Sequence, residues 1–318
     1  MSHALRSPYA MMAALGVVMG FVPALVSNQY YLTVLVLVAL QAILAISLNL
    51  LIGYSGILSL GQSAFYGLGA YTYALSTTLG GAVPVAGLAY GIMVTVAVAA
   101  VVGIPTTRLR SHYLAIATLG LAVIFVTLAV ETVGFTGGPN GIPGIPSLGI
   151  GALQLQSIQA HYYVIWAAVL VTIVGSHTLI HSRTGRALRA MKTREMAAAI
   201  LGVDVVRLKL AVFVLSAGVA AVAGVFYASF VSFVSPETFS FHLTIQLLVI
   251  LAVGGMGTIW GPVLGSFLVV IANELLRPAK EFSPLVFGLV LILFIVFAPA
   301  GLAGWLSRWL SRWRRPAF

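Results

Sequence analysis

Polar side chains lie unusually close together between residues 41 and 72, in surroundings that are otherwise apolar. The set is Gln41, Ser47, Asn49, Ser55, Ser59, Gln62, Ser63, Tyr66, Tyr71 and Thr72. Polar groups in hydrocarbon normally face the protein interior or water. The stretch therefore predicts a polar pathway for a solute, with Asn49, Ser55, Gln62 and Tyr66 as candidate lining residues. The alternative is tight helix packing held together by the same hydroxyls and amides.

Glycines interrupt this stretch and recur in the second half of the chain. GYSGILSLGQSAFYGLGA at 53–70 and GGMGTIWGPVLGS at 254–266 are both glycine-rich breaks that open a small-residue helix. We expect unwound backbone near 53–61, and close helix approach at Gly61, Gly67 and Gly69. Each break follows an apolar span in its own half, which favours two related halves, as many transporters have. The spacing of the two breaks does not match residue for residue.

Residues 182–209, called here the basic segment, form the only long polar interruption of the chain. Its basic residues are Arg183, Arg186, Arg189, Lys192, Arg194, Arg207 and Lys209, against the acidic Glu195 and Asp204. The positive-inside rule predicts a cytoplasmic position. Good helix formers without Pro or Gly predict a helix over Arg186–Leu201. Thr184 is the predicted N-cap and Gly202 the stop, and Asp204 is expected to cap the next helix.

One face of that predicted helix is small and smooth. At 100° per residue it contains Ala187, Ala190, Met191, Ala197, Ala198 and Leu201, with Arg194 among them. Such a face with a basic surround suits docking into another protein. The alternative is a basic patch that only sets topology or touches anionic lipid.

The composition predicts the class of protein that must position these groups. The chain has 318 residues, of which 61% are hydrophobic and 7% charged, whereas soluble domains carry roughly 25% charged residues. We expect an all-α, polytopic membrane protein with one domain over 1–318 and about ten crossing or partly re-entrant helices. The predicted segments are 9–26, 32–52, 56–79, 84–104, 112–131, 161–181, 208–231, 241–259, 261–277 and 283–300.

Ten crossings also give a consistent topology. Fourteen of the 16 basic residues then lie on one side, which predicts cytoplasmic N and C termini. The largest loop on the other side is about 132–160. Its TGGPNGIPGIP run at 136–146 excludes helix and predicts an ordered cap, in which Gly supplies positive φ and Pro fixes φ. The alternative is a plain connecting loop.

The sequence lacks the residues that ion-coupled transport, metal-dependent hydrolysis, ATP hydrolysis and cysteine chemistry require. No carboxylate lies in the middle of a predicted span, where ion-coupled transporters usually need one. We find no H-E-x-x-H box and no G-x-x-x-x-G-K-[ST] loop, and the chain has no cysteine. His177 and His181 share a helix face beside the basic segment, where we expect interfacial histidines and no metal site. The net charge of +10 comes largely from the basic segment and the C-terminal tail, and does not indicate nucleic-acid binding. Energy for transport is therefore expected from a bound partner.

Several motifs together resemble permeases of branched-chain amino acid ABC transporters. They are SLNLLIGYSG at 47–56 with SLGQ at 59–62, YLAIATLG at 113–120, TGGPNG at 136–141, SRTGRALRA at 182–190 with Leu201-Gly202, VSPE at 234–237 and GGMGTIWGP at 254–262. Their order and spacing are most similar to the LivM-type subunit, and the resemblance covers about residues 40 to 300.

The resemblance implies a bacterial inner-membrane importer subunit without an ATPase site of its own. Its implied partners are a sibling H-type permease, two ATPase subunits that bind ATP and Mg, and a periplasmic solute-binding protein, and no cofactor is expected in this chain. The basic segment would hold the coupling helix, with Gly185, Arg186, Arg189, Arg194, Glu195, Ala198 and Gly202 as candidate coupling residues. Importer permeases often carry E-A-A-x-x-x-G there. This chain has Met196 in place of that Glu, and Glu195 one place early.

The function expected from these observations is import of branched-chain or related amino acids, driven by partner ATPases. Relatives also handle other amino acids, amides, urea and aromatic acids. One alternative is a self-contained secondary transporter or facilitator for a small polar solute such as urea, an amide or an organic acid. A second is a membrane scaffold whose basic segment recruits a cytosolic protein.

Overall fold

The computed structural model describes residues 8–25, 28–109, 111–150 and 153–276, together with residues 289 and 301. Nearly all of this part is helical. The long elements are α1 (Pro8–Leu25), α2 (Gln29–Asn49), which continues as a π-helix (Leu50–Ser55), α3 (Gln62–Thr78), α4 (Pro84–Thr106), α5 (Ser111–Glu131), α7 (Ile158–His181), α8 (Arg183–Thr193), α10 (Val205–Val231), α11 (Phe241–Gly254) and α12 (Gly261–Leu275). The short elements are α6 (Val133–Thr136), α9 (Glu195–Ile200), two 3-10 turns (Gly138–Asn140 and Pro236–Phe239) and the strands β1 (Ile142–Pro143), β2 (Gly149–Ile150), β3 (Leu153–Gln154) and β4 (Phe233–Val234).

Five described helices are long and apolar enough to cross a membrane. They are Gln29–Ser55, Pro84–Thr106, His112–Glu131, Ile158–His181 and Val205–Val231, with shorter apolar helices at Leu15–Leu25, Phe241–Gly254 and Gly261–Leu275. The prediction of an all-α, multi-pass membrane protein is therefore confirmed. The number of crossings and the side on which the termini lie stay predictions, and the predicted segment 283–300 lies, apart from residue 289, outside the described residues.

Two predicted spans have different limits in the structure. The segment predicted at 56–79 becomes helical only at Gln62, and the segment predicted at 241–259 ends at Gly254. Gly56 and Gly255 have φ of +72° and +112°, values that side-chain-bearing residues rarely adopt and that end a helix. We call residues 56–61 the first break and residues 255–260 the second break.

Helices α11 and α12 form a hairpin around the second break. Their 14 and 15 residues span about 21 and 22 Å at about 1.5 Å per residue, which is less than the roughly 30 Å of a bilayer core. The two helices pack on each other and on α2. Near the end of α12, Glu274 accepts a hydrogen bond from Tyr30 at the beginning of α2. The structure therefore has the interrupted arrangement that the sequence left open for 241–277, with two helices over 241–254 and 261–275.

Small residues bring α3 and α10 close together at the centre of the bundle. A Cβ added to Gly69 would lie 2.5 Å from the carbonyl oxygen of Ala221, and one added to Gly224 would lie 2.0 Å from that of Tyr66. Both distances are far below van der Waals contact. The predicted close approach at Gly69 is confirmed, and a larger side chain there would push the two helices apart.

In its described part, residues 132–150 and 153–157, the loop packs against α3 and α10 near their C-terminal ends, as expected of a cap. β1 pairs with β4 in antiparallel register, the Tyr73 hydroxyl donates to the Pro146 carbonyl over 2.9 Å, and the Leu148 amide donates to Ser229 Oγ over 2.7 Å. The expectation that this stretch excludes helix was wrong at Thr136, the last residue of α6, and at Gly138–Asn140, a 3-10 turn with Pro139 as its second residue. The fixed φ of proline suits the first turn of a helix.

Candidate functional site

The basic segment folds as two short helices, and not as the single helix predicted. α8 ends at Thr193, and Arg194 has extended backbone at φ −152° and ψ 100° before α9 begins. The break turns α9 so that Glu195 reaches Lys209 on α10. The predicted N-cap, Thr184, was also wrong: Ser182 Oγ accepts the amide of Gly185 over 3.3 Å, so the cap lies two residues and the start of α8 three residues earlier than predicted.

Three of the predicted coupling residues hold α8 against the end of α7. Arg186 donates to the carbonyl of His181 over 3.4 Å, and Arg189 donates to that of Ile180 over 3.3 Å. Cations near the last carbonyls of a helix are favoured by its dipole. Gly185 is pressed against the same turn, because a Cβ there would lie 2.2 Å from the Ile180 oxygen. These residues attach the basic segment to the bundle.

An ion pair attaches α9 to α10. Lys209 Nζ lies 2.6 Å from Glu195 Oε1, with side-chain exposures of 7% and 53%. A charge placed among apolar spans needs a partner, since an isolated one is costly to bury. The Glu195 carboxylate thus turns inward, while the neighbouring Met196 turns outward at 82% exposure.

The outer face of α9 is apolar and uncovered. Met196, Ile200 and Leu201 are 82%, 86% and 82% exposed, whereas Leu188, Met191 and Ala198 are buried. The predicted smooth face was therefore wrong, because it placed Met191, Ala198 and Leu201 together. The break at Arg194 turns α9 relative to α8, so that Met191 and Ala198 are buried and Leu201 is exposed. Two other predictions are confirmed. Gly202 stops α9 with φ +86°, and Asp204 caps α10 by accepting the Arg207 amide over 3.1 Å.

Lys192 connects the basic segment to the first glycine-rich stretch. Its ammonium donates to the carbonyl of Gly53 in the π-helix. Its side chain also lies along Gly56, where an added Cβ would be 3.0 Å from Lys192 Cγ. Sequence reasoning counted Lys192 only among the positive charges, because no local pattern shows which distant carbonyl a lysine will reach.

Asn49, the last residue of α2, binds the second break. Its Oδ1 accepts the amide of Gly257 over 2.8 Å, and its Nδ2 donates to the carbonyl of Thr258 over 2.8 Å. Gly53 lies against the same place, since a Cβ there would be 2.6 Å from the Gly257 nitrogen. The two glycine-rich stretches that were noticed separately in the sequence therefore meet in the fold. Asn49 satisfies backbone groups that an interrupted helix leaves without partners.

The first break has partners of its own. Leu60 donates its amide to Thr118 Oγ1 over 2.9 Å and accepts from Thr244 Oγ1 over 3.3 Å. The prediction of unwound backbone at 53–61 is thus correct for 56–61, while residues 50–55 are π-helical. The π-helical turn follows directly on α2, and π-helical turns are rare features that are frequently found at functional sites.

Gln62 lies in a buried network between α2, α3 and α10. Its amide donates to Ser47 Oγ and, over 3.1 Å, to Ser216 Oγ, which in turn donates to the Ser47 carbonyl over 2.7 Å. Within the part of the chain that the structure describes, Gln62 Oε1 has no hydrogen-bond partner. Ser216 completes a network for which sequence reasoning noticed only Ser47 and Gln62.

Tyr66 belongs to an aromatic cluster. Its ring centroid lies 5.3 Å from that of Phe239 and 5.7 Å from that of Tyr227. Phe125 and Tyr71 complete the cluster, at 6.3 and 5.8 Å from Phe239. The cluster joins α3, α5 and α10 with the 3-10 turn before α11.

Ser55 lines a cavity of about 190 Å³ between the π-helix and the basic segment. The other lining residues are Gly56, Ile57, Leu114, Met191, Lys192, Glu195 and Lys209. The cavity therefore combines apolar walls with two ammonium groups and one carboxylate. The four predicted path residues lie in different surroundings. Asn49 lies beside the second break, Ser55 at this cavity, Gln62 in the serine network and Tyr66 among aromatic rings. Their role in a path stays a prediction.

His177 and His181 lie side by side, with ring centroids 4.1 Å apart, as their spacing on one helix face predicted. No group of three or more His, Cys, Asp or Glu side chains able to hold a metal ion occurs among the described residues. His181 Nδ1 lies within hydrogen-bond distance, 2.8 Å, of the His177 carbonyl oxygen.

Comparison with known proteins gives consistent matches over most of the chain. Residues 30–299 match the family model described as the permease component of branched-chain amino acid transport systems. The high-affinity branched-chain amino acid transport system permease protein LivM of Salmonella typhimurium is 34% identical over 288 residues, which cover 82% of this chain and 67% of that protein. The probable LivM protein of Methanocaldococcus jannaschii is 24% identical over 311 residues, covering 83% of this chain and 90% of that protein.

A second type of permease is also similar. The LivH permease protein of Escherichia coli is 30% identical over 151 residues, which cover 46% of this chain and 49% of LivH. No solved structure matches the chain.

Proposed function

The chain belongs to the family of permease components of branched-chain amino acid transport systems, and from this premise we propose that it is the membrane-spanning subunit of an ABC importer for branched-chain or related amino acids. It is a transport subunit and acts without an ATPase site of its own. ATP and Mg are bound by two partner ATPases, and a periplasmic binding protein delivers the substrate.

The observation that carries the partner-driven mechanism is the uncovered apolar face of α9. Met196, Ile200 and Leu201 are each more than four-fifths exposed, on a helix whose other side is fastened to the bundle by Glu195, Lys209 and Ala198. Exposed apolar groups that are held rigidly suit docking into another protein. We therefore propose Met196, Ile200 and Leu201 as the docking surface for the ATPase, with Arg194 and Gly202 shaping it.

The remaining predicted coupling residues have a supporting role in this proposal. Gly185, Arg186 and Arg189 hold α8 on α7, and Glu195 holds α9 on α10. Because the basic segment is attached at several points, a displacement imposed on it by a bound ATPase would also displace α7 and α10. That property is what a coupling segment requires.

The similarity to LivH supports a sibling permease as the second half of the translocation unit. We place the pair in the bacterial inner membrane, with the basic segment and both termini in the cytoplasm, because the positive charge concentrates there. The substrate path would run between the two permeases.

Of the four path residues, Ser55 has the strongest support. It borders the cavity of about 190 Å³ next to the basic segment, which we propose as the cytoplasmic end of the path. Asn49 and Gln62 hold the helices around the path, and Tyr66 belongs to an aromatic cluster that suits the apolar side chain of a branched-chain amino acid. The path would alternate between a state open to the outside and a state open to the cytoplasm. ATP would shift the population between these two states because the complex binds ATP more tightly in one of them.

Gentle solubilisation of the tagged chain tests this proposal. We expect a second permease and ATPase subunits to co-purify, with ATP hydrolysis that a soluble binding protein stimulates. A chain that stays alone or forms homo-oligomers in mild detergent, and that still conducts solute in liposomes, would instead support a self-contained facilitator. A chain that co-purifies with cytosolic protein but carries no solute would support a scaffold.

A further inference from the structure

The basic side chains of the basic segment differ in where their hydrogen bonds lead. Arg186 and Arg189 bind carbonyls of α7 directly before the segment, and Arg207 and Lys209 bind carboxylates within it. Lys192 differs, because its ammonium reaches a residue 139 positions away, in the π-helix that ends α2. It therefore links the segment to a different part of the bundle.

The carbonyl that Lys192 binds lies where a helix leaves such groups exposed. Gly53 is in the last turn before the first break, and the last carbonyls of a helix have no partner in a following turn. An ammonium there both completes the hydrogen bond and meets the negative end of the helix dipole. Contact with Gly56 at the start of the break keeps the lysine stem in place.

Gly53, three residues before the first break, also touches the second break. An added Cβ at Gly53 would lie 2.6 Å from the Gly257 nitrogen, and one at Gly257 would lie 2.9 Å from the Gly53 oxygen. Asn49, one turn earlier on α2, holds Gly257 and Thr258. A displacement of the Gly53 carbonyl is therefore passed directly to the second break and to the α11–α12 hairpin.

From this arrangement we infer that Lys192 is the transmission residue that converts movement of α8 and α9 into movement of the two glycine breaks. The inference rests on the proposed function, since it assigns a route to the coupling that the proposed function requires. α8 and α9 would move when the ATPase closes, Lys192 would pull the Gly53 carbonyl, and both breaks would shift together. The cavity of about 190 Å³ beside Lys192 leaves room for that displacement.

The test uses the complete complex in proteoliposomes and compares Lys192→Met with Lys192→Arg. Methionine keeps an unbranched stem along Gly56 but cannot donate a hydrogen bond, whereas arginine keeps the donor and the charge. Arg207→Met is the matched control, because it removes one positive charge from the same segment at a side chain that is 88% exposed. Uptake and ATP hydrolysis are measured on the same vesicles.

We expect Lys192→Met to assemble and hydrolyse ATP at a rate within twofold of wild type, while uptake per ATP falls at least tenfold. Lys192→Arg should keep at least a third of the wild-type ratio, and Arg207→Met nearly all of it. A reporter cysteine at Met256, which is 47% exposed in the second break, gives an independent readout in a chain that has no cysteine. Its maleimide labelling should change with nucleotide in the Lys192 background and stay constant in Lys192→Met.

Each other outcome decides against the inference. Wild-type coupling in Lys192→Met, or labelling of the reporter that still follows nucleotide, would overturn it and leave the proposed function intact. Loss of assembly in Lys192→Met would assign Lys192 to the architecture of the segment and would also overturn it. A wild-type complex without ATP-driven uptake would instead refute the proposed function itself.

Discussion

At the scale of single residues, several of the polar groups between 41 and 72 bind the protein's own backbone and side chains, among them Ser47, Asn49, Ser55 and Gln62. Asn49 is the clearest case, because both ends of its amide are used by the second break. Sequence reasoning identified Asn49 and Gln62 as important, since amides in an apolar stretch are costly without partners. It could not name the distant partners, because Ser216, Gly257 and Thr258 lie about 150 to 210 positions away.

Removal of the Asn49 amide should destabilise the fold. Asn49→Ala removes the partner of the Gly257 amide and of the Thr258 carbonyl. Loss of a partner costs about 1–3 kcal/mol for a buried group, and less here because both groups are only partly buried. We expect a clear fall in the thermal unfolding midpoint of the purified protein in detergent. Thr33→Ala is the control on the same helix, because its hydroxyl bonds only the carbonyl of Gln29 one turn earlier. Equal midpoints for the two variants would show that Asn49 does not hold the second break.

The pair of Glu195 and Lys209 should hold α9 in place. Glu195→Gln leaves the buried ammonium with a neutral partner, at a cost of about 1–3 kcal/mol, below that for a fully buried pair because Glu195 is half exposed. Looser attachment of α9 should speed tryptic cleavage after Arg194 about fivefold or more.

Asp204→Asn is the control for that experiment. Asparagine caps a helix as well as aspartate does, and the pair that is lost, Asp204 with Arg207, is exposed and weak. Cleavage should therefore stay near the wild-type rate. Restoration of slow cleavage in Glu195→Gln with Lys209→Met would support the charge argument, whereas equal rates in all variants would contradict it.

At the scale of elements, the basic segment was predicted to fold, and its helical content is confirmed. Its stop at Gly202 and the cap at Asp204 could be read from the sequence because glycine and aspartate act locally. The break at Arg194 could not, since helix propensity is high on both sides and the bend depends on a salt bridge to α10. A lysine inside an apolar span, as at Lys209, was the one signal that pointed to such a partner.

The apolar face of α9 should contact the ATPase directly. In a chain without native cysteine, Ile200→Cys provides a single thiol at an 86% exposed position. A short bifunctional cross-linker should join this chain to an ATPase subunit in native membranes. Phe135→Cys, 71% exposed at the opposite end of the bundle, should give no such product.

A polar substitution on the same face should separate docking from folding. Ile200→Asp should abolish co-purification of the ATPase while membrane insertion is unchanged, because a charge would be buried at the docking surface. Ile200→Leu should behave as wild type. Cross-linking to lipid alone, or normal assembly of Ile200→Asp, would support the reading in which the segment only rests on the membrane surface.

At the scale of the whole molecule, composition and span length were enough to predict a helical membrane protein. Most spans agree with the described helices within a few residues. What the sequence could not supply is the joining of the two halves. Each glycine-rich stretch was visible, but their contact through Asn49, Gly53 and Gly257 depends on how α2 and the α11–α12 hairpin pack, and packing over 200 residues leaves no local pattern.

The most direct measurement is uptake of a radiolabelled branched-chain amino acid into proteoliposomes that contain this chain with its co-purified partners and binding protein. The account predicts uptake that requires ATP on the side of the basic segment, stops when the ATPase subunit is inactivated, and continues when ionophores abolish ion gradients. Uptake that persists without ATP and collapses with an uncoupler would contradict it and identify a self-contained secondary transporter.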